Sequence, residues 1–348
     1  MQHVRFQQRA VQIDAQRKIG GRRGSIQGEI RQVIGNKIRY VLFSAVAAVI
    51  GYILFAVWSD FNGFIHALRK IGWAEGAAIL GLSLLNYALR FVRWQWYLSL
   101  LGHAIPAPQS ALIYFAGFAL TTTPGKAGEA VRSLYLQKGF KVPLSHSLAA
   151  FFTERFVDLL AVLLLSALVV VAMNRYQGLL IGVALLLGVV LLLVQRPAWL
   201  NAAIPYLHRL PARWSGALEK IPRLLSAAGM LLKGRILFGG LLLGIVAWGA
   251  EGVAFYLVLH FMELPGSVVE GIAIYSIAVL AGALTFLPGG LGGTEAVMIL
   301  LLVALGCAPA DAGAATIVCR VATLWFAVAL GLIALPAALR LLPVKALR

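Results

Sequence analysis

Long apolar runs alternate with short polar or basic stretches along this chain. Residues 40–58 and 179–194 contain no charged side chain. A helix needs about 20 apolar residues, or roughly 17 at the lower limit, to cross a bilayer. The pattern therefore predicts an all-α polytopic membrane protein, and the other runs extend the prediction along the chain. The predicted helices cover residues 40–58, 74–89, 110–123, 126–138, 145–173, 179–194, 236–261, 271–287, 296–305 and 312–339.

The second of these helices ends in a cluster of arginines and aromatic residues. We interpret the cluster as an interfacial belt of rings and snorkelling cations. Contact of the two arginines with lipid head groups is an equally good interpretation. The cluster consists of Arg90, Arg93, Trp94, Trp96 and Tyr97.

Two apolar helices are interrupted by similar segments, at residues 118–129 and 282–295. Each segment runs from an apolar helix through a Pro-Gly break to a glycine, a glutamate and a short helix, and a long helix with an arginine follows. The spacing is 31 positions from Pro124 to Arg155 and 32 from Pro288 to Arg320. The shared order and spacing predict an internal duplication.

The breaks leave two topologies open. If both are re-entrant hairpins, about six full spans remain and the two halves have inverted orientations, as in many transporters. If both are full crossings, about eight spans result, and both termini still lie on one side. The predicted divisions are a basic cytoplasmic arm at 1–39, a first membrane half at 40–195, a basic cytoplasmic connector at 196–235, a second membrane half at 236–339 and a cytoplasmic tail at 340–348.

Composition supports the membrane assignment and narrows the partners. Hydrophobic residues make up 61% of the chain and charged residues only 12%, against about 25% charged in soluble domains. The net charge of +17 is concentrated beside apolar runs, with nine Lys or Arg between positions 5 and 39 and seven between 196 and 235. This placement indicates cytoplasmic loops and anionic lipid surfaces rather than nucleic acid. The two cysteines lack metal-ligand spacing, and we expect no metal and no cofactor.

The breaks also predict a polar interior. Non-helical backbone in hydrocarbon leaves N–H and C=O groups unpaired, so it survives only against protein or a wet cavity. The helix N-termini that follow the breaks suit an anion such as a lipid phosphate. Close helix packing through small residues is the alternative explanation of the glycines. The predicted broken-helix residues are Pro124, Gly125, Gly128, Pro288, Gly289, Gly290, Gly292 and Gly293.

Charged residues near the breaks are the candidate lipid-binding residues, because charge inside a membrane is costly. Arg155 and Asp158 are three positions apart and can pair on one helix face. A structural ion-pair network and a carboxylate relay that carries a proton both explain such a set. Glu251 is isolated and is a candidate partner for either arginine of the repeat, Arg155 or Arg320. The candidates are Lys126, Glu129, Arg132, Glu154, Arg155, Asp158, Glu295 and Arg320.

These segments resemble the lysylphosphatidylglycerol synthase transmembrane region family, also called flippase-like membrane proteins. The resemblance is carried by residues 124–132, 154–158 and 288–295 with Arg320. One departure is Lys126, where the family usually has arginine, so bidentate phosphate geometry is lost. The sequence of residues 287–298 and 319–326 also resembles that of family members associated with hopanoid biosynthesis.

The resemblance implies a bacterial inner-membrane protein that moves or handles amphiphilic lipids between leaflets. Larger relatives add a soluble aminoacyl-transfer domain, and since only nine residues follow position 339 we expect no such activity here. Our hypothesis is a flippase-like lipid translocator without catalytic residues. The sequence contains no nucleotide-binding P-loop. Lipid movement would therefore be downhill, or coupled to an ion gradient through Glu129 or Glu295. The alternatives are a lipid-modifying membrane enzyme, which would need a nucleophile constellation that is not evident, and a scaffold for lipid-synthesis enzymes.

Overall fold

The computed structural model describes residues 70–123, 128–173, 177–195, 221–285 and 287–341. The predicted basic arm at 1–39, the first apolar run at 40–58 and most of the connector lie outside the described residues. Within the described ranges every regular element is a helix, as the sequence predicts. The helices are α1 (Trp73–Leu100), α2 (Ala107–Ala116), α3 (Val131–Phe140), α4 (Leu144–Met173), α5 (Gln177–Gln195), α6 (Ile221–Leu231), α7 (Gly234–Phe261), α8 (Val268–Leu284), α9 (Gly293–Ala304), α10 (Pro309–Arg320) and α11 (Phe326–Arg340).

Local sequence explains several helix ends. Ser267 caps α8: its hydroxyl accepts a hydrogen bond from the backbone N–H of Glu270, whose side chain accepts one from the backbone N–H of Ser267. This capping box satisfies two N–H groups that a helix start leaves free. Pro309 lies in the first turn of α10, where its missing N–H costs nothing.

Two stretches are long and apolar enough to cross a membrane by length and composition among the described residues. They are Gly234–Phe261, which is α7, and Pro309–Arg340, in which α10 continues into α11 through a π-helical turn at Val321–Trp325. The number of spans and the orientation of the termini stay predictions.

The helix α7 packs against α1, α4 and α8. Around it lies one buried apolar cluster, which α8, α9 and α10 complete with side chains such as Tyr275, Met298 and Val318. A second cluster joins α1, α2, α3, the start of α4 and α6 around Trp94 and Tyr114. These two clusters position the polar groups that lie between them.

The helices next to each interruption pack against helices of the other half. The helix α4, which carries Arg155, packs against α8, the helix that leads into the second break. The helix α11, which follows Arg320, packs against α2 and the 3₁₀ turn Gly117–Leu120, which lead into the first break. The breaks also touch each other, because a Cβ on Gly289 would lie 3.6 Å from Cα of Thr122.

The predicted interfacial belt at the end of α1 is wrong. The helix continues to Leu100, and Arg93, Trp94 and Tyr97 are fully buried. Arg90 is only 5% exposed. The arginines lie inside the protein because α4 presents Asp158 to them, and a carboxylate offsets part of the cost of burying a cation.

Candidate functional site

A cavity of about 250 Å³ lies where the two interruptions meet. Its walls come from α1, α4, α7, α8 and α11 and from residues of both breaks. Three arginines and three carboxylates line it, together with hydroxyl groups and apolar side chains. The charged lining residues are Arg90, Arg155, Arg320, Glu129, Asp158 and Glu251.

The first break is closed by threonine side chains. The hydroxyl of Thr121 donates a hydrogen bond of 2.7 Å to Oε1 of Glu129. The hydroxyl oxygen of Thr123 accepts one of 2.6 Å from the backbone N–H of Gly128. A Cβ on Gly128 would lie 2.8 Å from the carbonyl oxygen of Leu120, so this position admits only glycine without a shift of the backbone. These contacts bring Glu129 to the cavity wall.

The second break is closed by the pair of Glu295 and Arg320. Glu295 accepts a hydrogen bond of 2.7 Å from the backbone N–H of Gly292 and one of 2.6 Å from Nε of Arg320. Arg320 also donates a hydrogen bond of 2.8 Å to the carbonyl oxygen of Gly289. Non-helical peptide groups are thereby paired within the protein, as hydrocarbon surroundings require. Gly289 and Gly292 have φ of 64° and 85°, which L side chains rarely adopt.

Arg93 and Arg132 pair with the two carboxylates of α4, Asp158 and Glu154. Arg93 pairs with Asp158 through a hydrogen bond, and Arg132 lies 3.1 Å from Glu154. The guanidinium of Arg132 also lies 4.5 Å from the ring centres of both Trp94 and Tyr114, which favours a fixed cation. Both arginines are at most 1% exposed. We interpret them as structural.

Arg155 has a different environment. Its side chain is 17% exposed, lines the cavity and lies 3.2 Å from both Glu154 and Asp158 and 3.8 Å from Glu129. The pair with Asp158 confirms the i,i+3 pairing that the sequence predicts. Within the described part of the chain, its Nε and Nη2 form no hydrogen bond.

Arg90 is the second arginine of this kind. It donates one hydrogen bond of 3.4 Å to Asn86, and its Nη2 lies 3.5 Å from Asp158. Its Nε and Nη2 likewise form no hydrogen bond to any described residue. A buried donor that makes no hydrogen bond is costly, so the N–H groups of both arginines suit an oxyanion in the cavity.

The opposite wall carries a carboxylate among aromatic residues. Glu251 accepts a hydrogen bond from the hydroxyl of Tyr275. Tyr87 donates a hydrogen bond to the carbonyl oxygen of Thr323, in the π-helical turn after Arg320. π-Helical turns inside α-helices are frequent at functional sites.

The sequence matches the family model of the lysylphosphatidylglycerol synthase TM region over residues 41–331. The chain belongs to this family. It is 27% identical to a UPF0104 membrane protein of Methanothermobacter thermautotrophicus over 308 residues, covering 80% of this chain and 87% of that relative. A second match to a UPF0104 membrane protein of that organism is 26% identical over 241 residues, covering 62% and 70%. A UPF0104 membrane protein of Pyrococcus horikoshii is 24% identical over 316 residues, covering 81% and 93%.

Family membership agrees with the apolar helices, and the chain is a multi-pass membrane protein whose family is related to lipid metabolism. The resemblance seen in the sequence is therefore confirmed at the level of the family.

The structure places the described binding residues in two groups. Glu129, Arg155, Asp158 and Arg320 line the cavity. The second group supports that lining: Glu295 holds Arg320, while Glu154 and Arg132 pair with each other. Lys126 lies outside the described residues, together with Pro124 and Gly125. Of the broken-helix residues of the second break, Pro288, Gly289 and Gly290 form a 3₁₀ turn, and Gly292 and Gly293 start α9.

The sequence prediction left out part of the cavity wall. The sequence pattern assigns Arg90 to the membrane surface, and it indicates Glu251 only as a partner of the arginines. Tyr87, Trp248 and Tyr275 were not singled out. A signal existed for the two charged residues, since Glu251 occurs singly within a long apolar stretch and Arg90 lies at the end of another, where charge is expensive. The aromatic residues gave none, because rings are common in any membrane helix.

Proposed function

We propose that this protein moves an amphiphilic lipid between leaflets, with the head group passing through the cavity where the two breaks meet. The observation that supports this most directly is the pair of cavity arginines. Arg90 and Arg155 line the cavity, and their Nε and Nη2 atoms form no hydrogen bond to a described residue, although Nη2 of each lies within 3.5 Å of Asp158. If these arginines served only structural ion pairs, we would expect each of their buried N–H groups to be hydrogen-bonded.

The size and lining of the cavity favour a head group. About 250 Å³ lies below the roughly 300–1,000 Å³ of pockets that enclose a drug-sized molecule. Acyl chains would therefore remain outside, in lipid. Leu159, Val162 and Leu287 supply an apolar part of the lining, along which the first segment of a chain can lie.

The paired breaks suit movement of one half against the other. Glu129 lies near Arg155 and Glu295 binds Arg320, so the matching residues of the predicted repeat pair within each half. In our proposal the halves are an inverted repeat that rocks around the shared cavity. The protein lies in the inner membrane with both termini cytoplasmic, does not act as an enzyme, and works downhill or with an ion gradient.

Reconstitution tests the proposal. Purified protein in liposomes that contain acyl-labelled phospholipids should make inner-leaflet label accessible to an impermeant quencher. Arg155→Ala should slow this at least about tenfold, because it removes a charge-assisted contact worth about 1.5–3 kcal/mol. Arg223→Ala is the matched control, since Arg223 is exposed on α6, and it should behave like the wild type.

Three results would count against translocation. A rate equal to that of protein-free liposomes refutes it, and so does an unchanged rate in folded Arg155→Ala. A chemically altered lipid in mass spectrometry would support an enzyme instead. An inert protein that captures lipid-synthesis enzymes, and loses them when residues 1–39 are removed, would support a scaffold.

A further inference from the structure

The two carboxylate oxygens of Asp158 have different surroundings. Asp158 lines the cavity and is 5% exposed. Its Oδ1 accepts a hydrogen bond from Nη2 of the fully buried Arg93. Its Oδ2 lies 3.5 Å from Nη2 of Arg90 and 3.2 Å from Nη2 of Arg155, and it forms no hydrogen bond to a described residue. One oxygen is thus anchored on Arg93, while the other is held between two cavity arginines by charge, without a directed hydrogen bond.

An oxyanion can take the place of this second oxygen, because an oxygen atom at that point contacts both cavity guanidinium groups. A phosphate oxygen carries the same kind of charge as a carboxylate oxygen and accepts the same hydrogen bonds. Other contacts hold the two arginines in position. Arg90 donates a hydrogen bond of 3.4 Å to Asn86 and lies over the ring of Trp248, 5.3 Å from its centre. Arg155 lies 3.2 Å from Glu154.

Arg93 offers a second donor to the displaced oxygen. Its Nε is buried and forms no hydrogen bond to a described residue. A guanidinium binds a carboxylate well through two parallel N–H···O bonds. If Asp158 turns its Oδ2 toward this Nε, Arg93 holds both oxygens, and Arg90 and Arg155 are released together. The new hydrogen bond joins a buried donor and a buried acceptor that form none in the present arrangement, which offsets the two contacts that are lost.

We infer that Asp158 is an internal competitor of the head-group phosphate: it pairs with Arg90 and Arg155 when no head group is bound and turns to Arg93 when the phosphate binds. This inference rests on the proposed translocation, which supplies the ligand. The cavity is lined by three arginines and three carboxylates, so a carboxylate has to withdraw when an anion takes its arginines. A transport site must bind its substrate weakly enough to release it. The return of Asp158 to Arg90 and Arg155 provides this release.

A binding measurement tests the competition. The variant Asp158→Asn removes the negative charge and retains an oxygen that accepts the hydrogen bond of Arg93. The full-length protein in detergent is titrated calorimetrically with dihexanoylphosphatidylglycerol and with dihexanoylglycerol, which lacks the phosphate. We expect the Kd of the phosphate probe to fall at least about tenfold in the variant, the ratio that corresponds to one charged contact. The matched control is Asp311→Asn, because Asp311 is exposed in the first turn of α10, and it should bind both probes like the wild type.

The movement of lipid should change in the opposite direction. In liposomes, Asp158→Asn should move acyl-labelled phosphatidylglycerol at least about tenfold more slowly than the wild type, because release becomes slower by the factor by which binding tightens. A purely structural role of Asp158 predicts weaker binding together with slower movement. The combination of tighter binding and slower movement therefore distinguishes a competitor from a structural counter-ion.

The outcomes separate the inference from the proposed function. Unchanged or weaker binding of the phosphate probe by folded Asp158→Asn overturns the inference and leaves translocation standing. Tighter binding with an undiminished rate retains the competition and overturns its role in release. If the wild type moves no lipid, the proposed function fails, and the titration by itself decides whether Asp158 competes with a phosphate.

A structure of the wild type with dihexanoylphosphatidylglycerol bound decides the case in which Asp158→Asn does not fold. Both oxygens of Asp158 on Arg93, with the phosphate between Arg90 and Arg155, would support the inference. An aspartate that still lies between these two arginines beside the bound phosphate would overturn it.

Discussion

Replacing Gly331 with alanine should force the last helix away from the first break. Gly331 lies in α11, where the helix crosses the 3₁₀ turn Gly117–Leu120. A Cβ at this position would lie 2.1 Å from the backbone nitrogen of Ala119 and 2.6 Å from the carbonyl carbon of Phe118. Both neighbours are backbone atoms, so a rotamer change cannot relieve the contact.

The size of the effect follows from these distances. Non-bonded heavy atoms prefer separations of about 3.5–4.0 Å, so the two backbones must separate by roughly 1.5 Å. Overpacking costs about 1–3 kcal/mol and occasionally more. We expect about 3 kcal/mol for Gly331→Ala, because the displaced atoms belong to the junction between the halves and a shift there also disturbs neighbouring packing.

Gly249 provides a matched control in α7. A Cβ there would meet no described atom within 4 Å. Gly249→Ala should therefore show only the intrinsic preference of alanine over glycine in a helix interior, a gain of about 0.5–1 kcal/mol. The two variants carry the same substitution and differ in the space that the methyl group enters.

Denaturation in detergent micelles measures the difference. The unfolding midpoint of each variant is compared with that of the wild type under identical conditions, with helix content as the signal. We expect Gly331→Ala to be less stable than the wild type and Gly249→Ala to be equal or slightly more stable. If Gly331→Ala matches Gly249→Ala, the close crossing of α11 over the first break is refuted.

Two further predictions concern buried charge and pH. Arg132→Met should cost about 3–5 kcal/mol, because it leaves Glu154 buried without its 3.1 Å partner; an unfolding midpoint equal to that of the wild type would contradict the structural role of Arg132. Burial lowers the pKa of His103 below its usual 6.5, and His146, whose Nδ1 lies 2.9 Å from Nε2 of His103, lowers it further. The folded state favours the neutral ring of His103. The free energy of unfolding therefore falls as the pH drops below 6.5, where the ring is protonated in the unfolded chain. Thermal midpoints between about pH 8 and pH 5 should show this decline, and His103→Gln should weaken it; an equal decline in the variant would exclude His103 as its source.

Sequence alone was sufficient for features that depend on neighbouring residues. The apolar runs predicted the all-helical membrane class, and most helix ends fall within a few residues of the predicted ones. The Pro-Gly segment at 288–293 predicted a break that the structure contains, because glycines permit the positive φ seen there. The pair of Arg155 and Asp158 was predictable because residues three apart on a helix face each other.

Other features required the tertiary structure. Arg93 binds Asp158 from a helix 65 positions away, and Glu251 is bound by Tyr275 from the next helix. Periodicity tells which side of a helix is polar, but in lipid an apolar side faces either the membrane or the protein, so it does not tell which helices meet. For this reason Arg90 was assigned to the membrane surface although it lies inside.

Sequence by itself thus determined that the chain crosses membranes, where its helices break and which charges are costly enough to need partners. Only the tertiary structure decided which partners they have, because ion pairs between helices depend on how distant segments pack. That packing brought the two breaks together and placed arginines and carboxylates of both halves around one cavity. The physical reason is that burying a charge requires a counter-charge close by in space, whatever its distance along the chain.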